Sequence, residues 1–319
     1  MSSAQDIDVL VSEVGPRDGL QSIKRSMPTA DKLRWIAALA AAGVREIEVG
    51  SFVPARLLPQ MADAAEVVRG SAAIPGLNVL ALAPNLKGVQ AAVAAGAHAV
   101  TLPVSASRAH SQSNLRKTPE EAMDEVGRIC AWRASLAAGR HFSVEANVAT
   151  AFGCTMEGPV SEDWVISMAL RLAQLGADAV GLSDTTGYAN PVQVKRLFGR
   201  LRRELGGKVG GAHLHNTRGQ GLANAVAALE TGVTTLDASQ GGLGGCPYAP
   251  GATGNIVTED LVFMLESMGV RTGIDIERLI AARQIILEAL PGEPLYGHVP
   301  DAGLTKGYLP ASAQRQTHA

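Results

Sequence analysis

The sequence predicts a single (β/α)8 barrel, an α/β fold in which eight parallel strands are enclosed by helices. Short β-branched runs alternate with longer helical patterns, and one phrase of helix, glycine stop and strand recurs as "AAGVREIEV", "AAGAHAVTL", "QLGADAVGL" and "ETGVTTLDA". This alternation is typical of βα units that feed a parallel sheet. Eight units without a composition break, and without a GxGxxG motif after the first strand, favour one closed barrel over two Rossmann-like halves.

Each predicted strand is short and mostly apolar, as strands buried on both faces must be. The strands are Val9–Val14, Glu46–Gly50, Asn78–Leu82, Ala99–Val104, Phe142–Asn147, Ala179–Ser183, Val209–Leu214 and Thr234–Ala238. The helices between and after them are Ala30–Ala42, Gln60–Gly70, Leu86–Ala95, Pro119–Ala138, Ser161–Leu175, Pro191–Leu205, Ala223–Thr231 and Thr258–Met268.

Helix boundaries are marked by capping and stop residues. Thr118, Pro119 and Glu121 form an N-cap, a first-turn proline and an acidic third position, and a glycine follows each of four helices at 43, 96, 176 and 232. One further helix is predicted at 274–290, followed by a tail rich in glycine and proline. We therefore divide the chain into a catalytic barrel, 1–273, and a C-terminal helix and tail packed on it, 274–319.

Composition restricts the class of partner. The formal net charge of −2, the pI near 6.4 and an aromatic content of 4% predict neither nucleic-acid nor membrane binding, so a small-molecule partner is expected.

Three scattered cysteines form no disulfide framework, which fits a reducing cytoplasm. The N-terminus carries no recognisable targeting signal, and no apolar run approaches the roughly 18 residues that span a bilayer.

Candidate catalytic residues lie where predicted strands end, because a barrel of this kind carries its chemistry at the carboxyl ends of its strands. His213 and His215 are two residues apart on strand 7, so both side chains leave the same face, towards the barrel interior. Asp18 follows strand 1, and strands 1, 7 and 8 adjoin in a closed barrel. Two imidazoles and one carboxylate are a suitable ligand set for a divalent metal ion.

Other residues allow two interpretations from the residues alone. Asn255 could cap the helix that follows it or complete the metal shell. Asp184 could be an acid or base, or cap its loop, and Glu48 could support Arg17 or a metal ligand. The glycine-dense segment 241–255 resembles a mobile catalytic loop without a P-loop pattern, and Cys246 within it could be inert or reactive.

Together the motifs resemble the 3-hydroxy-3-methylglutaryl-CoA lyase family, within a wider group of metal-dependent aldolases and lyases with TIM-barrel folds. The matching segments, which span about 7–290, are "EVGPRDGLQ" at 13–21, "SFVPARLLPQM" at 51–61, "PNLKGVQAAVAAGA" at 84–97, "SDTTG" at 183–187, "HLHNTRGQGLAN" at 213–224 and "GGLGGCPYAPGATGNIVTEDLVFML" at 241–265. The loop "GLGGCPYAPGATGN" is specific to the lyase branch.

The resemblance implies a role for each candidate. It implies Mg²⁺ or Mn²⁺ as the cofactor, held by Asp18, His213, His215 and Asn255, with Arg17 polarising the thioester carbonyl and Cys246 as the catalytic loop cysteine. Gln21, Glu48, Ser51, Asp184 and Thr185 fall on active-site positions, with Ser51 and Thr185 near the substrate carboxylate. It also implies a cytoplasmic homodimer that acts in leucine degradation on an acyl-CoA partner.

The implied reaction splits 3-hydroxy-3-methylglutaryl-CoA into acetyl-CoA and acetoacetate, with Asp184 or His213 as the base. The sequence departs from the family pattern at two places that bear on the substrate: Asn216 replaces an aspartate in the metal motif, and 103–117 lacks the expected acidic and aromatic residues. The alternatives are a lyase for citramalyl-CoA or a longer branched glutaryl-CoA, a Claisen-type condensing synthase, and a non-catalytic barrel.

Overall fold

The computed structural model describes residues 7–137, 141–244 and 254–317, and its eight parallel strands close into a barrel in which β1 lies beside β8. The strands are β1 Leu10–Glu13, β2 Glu46–Ser51, β3 Asn78–Leu82, β4 Ala99–Ser105, β5 Ser143–Ala149, β6 Ala179–Asp184, β7 Val209–Leu214 and β8 Thr235–Ala238. The predicted (β/α)8 barrel is therefore confirmed.

Helices surround the barrel and continue into the C-terminal segment. They are α1 Leu20–Ser22, α2 Thr29–Ala41, α3 Ala64–Ala72, α4 Leu86–Ala95, α5 Arg108–Leu115, α6 Pro119–Ala134, α7 Glu162–Gln174, α8 Pro191–Leu205, α9 Gly221–Leu229, α10 Thr258–Ser267, α11 Ile276–Ala289, α12 His298–Ala302 and α13 Ala311–Thr317.

Most predicted helix limits lie within two residues of these bounds, and two differ by more. The predicted start at Gln60 was wrong, because Pro59–Met61 forms a separate 3₁₀ turn and α3 begins at Ala64. Helix α6 ends at Ala134, whereas its predicted end, Ala138, lies outside the described residues. Its predicted start is confirmed, since Thr118 and Glu121 form a reciprocal capping box. Helix α5 was not predicted.

The glycine stops have a steric cause. Gly43 has φ 101°, and a Cβ atom built there would lie 2.3 Å from the carbonyl oxygen of Gly273. Only glycine tolerates both the left-handed backbone and this close approach. The turn that ends the α2 region therefore requires glycine for backbone shape and for packing against the segment before α11.

The apolar core lies between the barrel and its helices. Strand β5 shows the pattern: Val144 and Val148 are buried outside the cavity, whereas Glu145 and Asn147 line the barrel interior. Because side chains alternate along a strand, one strand serves an apolar layer and a polar cavity at once. This alternation leaves polar groups inside the barrel, where a site can form.

Carboxylates of α10 hold the C-terminal segment in place. Asp260 accepts hydrogen bonds from the backbone N–H groups of His298 (2.9 Å) and Val299 (2.8 Å), and Glu266 accepts one from that of Ala311 (2.7 Å). Helix α11 packs against α2. Among the residues described, no helix combines the length and the apolar character needed to cross a membrane.

Candidate active site

A tight turn directly after β1 carries Arg17 and Asp18 into the barrel mouth. Residues Gly15–Gly19 form one π-helical turn, closed by a hydrogen bond from the N–H of Gly19 to the carbonyl of Val14 (3.4 Å). A Cβ atom at Gly15 would lie 2.6 Å from Oε1 of Glu13. Glycine is therefore required where this turn passes over the Glu13 carboxyl group.

Arg17 is buried and held by two carboxylates. Its Nη1 donates to Oδ1 of Asp18 (2.6 Å), and its Nε donates to Oε2 of Glu48. Burial raises the pKa of Glu48, and the contact with Arg17 opposes that shift. Burial would also raise the pKa of Asp18, but Arg17 and then His213 reverse that tendency and lower it. The result is a fixed positive charge beside an ionised Asp18.

His213 and His215 lie beside Asp18, and their side chains share one face, as their two-residue spacing predicts. Their Nε2 atoms are 3.1 Å apart, and Nε2 of His213 is 3.9 Å from Oδ2 of Asp18. The Nδ1 atom of His213 faces Oδ2 of Asp237 at 3.0 Å. If Nδ1 donates to Asp237, the lone pair of Nε2 is directed towards Asp18 and His215, an orientation suited to metal binding.

Asn255 joins this group, and the interpretation of Asn255 as the cap of the following helix was wrong. Helix α10 begins at Thr258, and its N-cap position is Val257. The Nδ2 atom of Asn255 donates to Oδ2 of Asp18 (2.7 Å), and its Oδ1 is buried without a hydrogen-bond partner among the described residues. An unpaired buried acceptor is costly, so this oxygen needs a partner that a cation could provide.

The ligand atoms of Asp18, His213 and His215 all lie within 4.8 Å of one another, and all three residues are buried. Asp18 follows β1, His213 lies on β7 with His215 just after it, and Asn255 follows β8, the strand that pairs with both β1 and β7. The structure thus brings the predicted ligands together, as a possible metal-binding triad with an amide oxygen beside it.

A cavity of about 750 Å³ opens from this cluster, and predicted site residues line it. Gln21 donates to Oδ1 of Asp18 (2.9 Å), and Oγ of Ser51 is buried without a partner among the described residues. Oγ1 of Thr185 accepts a hydrogen bond from the N–H of Thr150 (2.8 Å). These residues and Glu48 are therefore placed where a bound substrate would lie.

Asp184 does not line the cavity. Its neighbours Ser183 and Thr185 do, whereas Oδ1 of Asp184 accepts a hydrogen bond from the N–H of Tyr188 (2.8 Å). Burial raises the pKa of Asp184 to about 6. The geometry favours the loop-capping interpretation, and its role as a base stays a prediction. Cys246 lies outside the described residues.

Asp237 was not predicted as a site residue; it lies two residues after Thr235 on β8 and therefore faces the cavity. Glu13 also had no predicted role. Oε1 of Glu13 accepts hydrogen bonds from the N–H groups of Gly15 (2.8 Å) and Gln240 (2.9 Å), and Oε2 accepts one from Thr258 Oγ1 (2.6 Å). Glu13 thus joins the Arg17 turn to residues on both sides of the glycine-dense segment.

The family model described as HMGL-like matches residues 8–286. The mitochondrial hydroxymethylglutaryl-CoA lyase of Bos taurus is 41% identical over 282 residues, 88% of this chain and 86% of that protein. Two bacterial structures are also similar. An HMG-CoA lyase from Acinetobacter baumannii in complex with coenzyme A and 3-methylmalate has a TM-score of 0.88 and 39% identity over 97% of this chain and 99% of that one. The Pseudomonas aeruginosa hydroxymethylglutaryl-CoA lyase has a TM-score of 0.86 and 38% identity over 92% and 97%. Sequence, fold and site agree, and the chain belongs to the HMGL-like family.

Proposed function

We propose that this protein cleaves 3-hydroxy-3-methylglutaryl-CoA to acetyl-CoA and acetoacetate. The observation that carries this proposal is that Asp18, His213, His215 and Asn255 lie together beside the buried cation of Arg17, and that a cavity of about 750 Å³ opens from them. The HMG-CoA lyases to which the chain is similar support the substrate.

The donor set fits a divalent ion, which we propose is Mg²⁺ or Mn²⁺. Two imidazole nitrogens, one carboxylate and an amide oxygen without a partner offer the mixed N and O ligands that such an ion accepts. When bound there, the ion would act as a Lewis acid towards the substrate's oxygen atoms. Asp237 would orient His213 through their 3.0 Å contact.

The cleavage takes a proton from the C3 hydroxyl group, shifts two electron pairs and places a proton on C2. A base removes the C3 hydroxyl proton, the oxygen electrons form the ketone, and the C2–C3 bonding pair becomes the enolate of acetyl-CoA. Arg17 supplies fixed positive charge for the enolate oxygen because Glu48 and Asp18 hold its guanidinium rigidly. We propose that Cys246 returns a proton to C2.

The proton-accepting residue is Asp184 or His213, and each candidate has a geometric constraint. His213 uses Nδ1 for Asp237 and directs Nε2 towards the other ligands, so Nε2 cannot bind a metal and accept the proton simultaneously. Asp184 lies behind the cavity wall, but its Oδ2 has no partner among the described residues. Its pKa of about 6 suits a base at neutral pH.

The test is product formation from a panel of thioesters by metal-stripped protein with and without added Mn²⁺. Acetyl-CoA and acetoacetate should form from 3-hydroxy-3-methylglutaryl-CoA, only with metal, and Cys246→Ser should slow turnover. If citramalyl-CoA or a longer branched glutaryl-CoA is cleaved faster than 3-hydroxy-3-methylglutaryl-CoA, that thioester is the substrate instead. Condensation of acetyl-CoA with a 2-keto acid, unaffected by Cys246→Ala, would instead establish a synthase.

We also propose a cytoplasmic homodimer, a role in leucine degradation, and the division of the chain into a barrel, 1–273, and an appended C-terminal segment, 274–319. The family resemblance supports the dimer and the pathway. Sedimentation velocity of the full chain tests the dimer, and a single monomeric species at micromolar concentration would contradict it.

A further inference from the structure

Arg116 lies at the rim of the cavity, directly after α5. It lines the cavity mouth together with Leu115 and Lys117, and its side chain is exposed. Pro54 and the largely exposed Leu57 also line the cavity. The lining at the entrance therefore combines apolar surface with a solvent-accessible guanidinium.

The backbone of Arg116 is in an unfavourable conformation for an arginine. It has φ 55° and ψ 35°, the left-handed region, at the C-cap of α5, and its N–H donates to the carbonyl of Gln112 (3.1 Å). This conformation costs an L-residue roughly 1 kcal/mol, and glycine usually occupies it. Within the described ranges, Thr150 is the other non-glycine residue with positive φ. Such strain is typical of positions whose side chain has a function.

The guanidinium of Arg116 has no acidic partner among the described residues, unlike its neighbours. Arg108, on the same helix, pairs with Glu120, and Lys117 pairs with Glu125 at 3.2 Å. Arg128 also pairs with Glu125. These nearby cations therefore each have a carboxylate partner within the protein, whereas the charge of Arg116 remains available for an anion from solution.

We propose that Arg116 binds a phosphate group of the coenzyme A moiety, an inference that rests on the acyl-CoA substrate of the proposed function. With its acyl group beside Asp18 and His213, a thioester would extend its pantetheine arm out of the cavity past the apolar rim. The phosphates would then lie outside, where the planar guanidinium can donate two hydrogen bonds to one phosphate.

The informative variant is Arg116→Gly, because glycine relieves the left-handed backbone and should leave the melting temperature unchanged or higher. Three substrates are compared: 3-hydroxy-3-methylglutaryl thioesters of coenzyme A, of dephospho-coenzyme A and of pantetheine, which has no phosphate. For the coenzyme A thioester, KM should rise on the order of tenfold to a hundredfold, as for loss of one charge-assisted contact, with kcat retained. For the pantetheine thioester, KM should stay unchanged, and Arg116→Lys should restore part of the loss.

The dephospho-coenzyme A thioester shows which phosphate group Arg116 binds. If Arg116 binds the 3′-phosphate, the variant and the wild type should have equal KM for this thioester; if it binds the pyrophosphate, the difference should persist. The matched control is Arg108→Ala, on the same helix but paired with Glu120 and absent from the cavity lining. It should leave every KM near the wild-type value.

Calorimetric binding of coenzyme A and of pantetheine separates this inference from the lyase proposal, because it requires no turnover. Arg116→Gly should weaken coenzyme A binding by the same factor, and added salt should reduce the difference. Equal weakening for pantetheine, or no weakening for coenzyme A, would overturn the assignment. A protein that cleaves no thioester, yet loses coenzyme A affinity in this variant, would refute only the proposed reaction.

Discussion

Asp237→Asn tests whether the carboxylate behind His213 prepares this ring for metal binding. The Nδ1 to Oδ2 distance is 3.0 Å, and both side chains are largely buried. A hydrogen bond to a charged acceptor contributes about 1.5–3 kcal/mol and one to a neutral acceptor about 0.5–1.5 kcal/mol, so the amide should lose about 1–1.5 kcal/mol. That difference corresponds to roughly tenfold weaker metal binding, at the lower end of the 10–100-fold range for such supporting residues.

The loss should be larger if the amide NH₂ group of the new Asn faces Nδ1. That nitrogen would then have to accept a hydrogen bond, the ring proton would move to Nε2, and Nε2 could no longer act as a ligand. The measurement is calorimetric titration of metal-stripped protein with Mn²⁺, with circular dichroism to confirm folding.

Glu145→Gln is the control for this experiment. It makes the same carboxyl-to-amide change in the wall of the same cavity, and Glu145 forms no hydrogen bond to a described residue. It should bind Mn²⁺ as the wild type does. An unchanged Mn²⁺ affinity in Asp237→Asn, or equal weakening in both variants, would refute the idea that Asp237 acts by orienting His213.

Three further predictions follow from the same contacts. Glu48→Gln should lower kcat at least about tenfold, because Arg17 loses one of the two carboxylates that hold it, and an unchanged kcat in steady-state assays would contradict this. Burial, then the charges of nearby acids, raise the pKa of Glu145 from 4.5 to about 8. Between pH 4.5 and pH 8 the folded state therefore binds more protons than the unfolded state, and the free energy of unfolding should fall as pH rises through this range. In urea unfolding experiments, the free energy of unfolding of Glu145→Gln should decline less over this pH range than that of the wild type. Equal declines would show that Glu145 is not the cause. Asn216→Asp should change kcat less than about twofold. Oδ1 of Asn216 accepts a hydrogen bond from the N–H of Gly221 (2.9 Å) at the start of α9, and a carboxylate can accept this bond equally well. A tenfold change in kcat would show that the charge at position 216 matters.

The barrel could be predicted because its units repeat one local pattern, and four of them end their helix at a glycine shortly before the next strand. Helix α5 could not, because Arg108–Leu115 has no apolar stripe for sequence periodicity to detect. It is fixed instead by Ser107, whose side chain accepts from the N–H of His110, and by packing against β4. The segment 103–117, whose sequence departs from the family pattern, is therefore a structured part of the cavity rim.

Strand parity predicted one part of the candidate site correctly and, applied to more strands, would have predicted more of it. Parity placed His213 and His215 on one face, and the structure confirms it. The same rule makes Asp184 face away from the cavity, since Ser183 and Thr185 line it, and makes Asp237 face inwards. Asn255 lies on no strand, so its contact with Asp18 depends on tertiary structure that a local pattern does not encode.

Charge balance connects these observations to the metal. Asp18, Glu48 and Asp237 bring three carboxylates to one buried region, where Arg17 provides one fixed positive charge. Where these groups are ionised together, their negative charge exceeds the single positive charge of Arg17 in surroundings of low dielectric, which is unfavourable without compensation. Burial opposes protonation of His213, yet Asp237 and Asp18 raise its pKa, so a proton on this ring compensates part of the excess. A bound cation would reduce the excess and would also give Oδ1 of Asn255 a partner. The electrostatics of the described residues therefore favour a cation at the position to which the ligand geometry points.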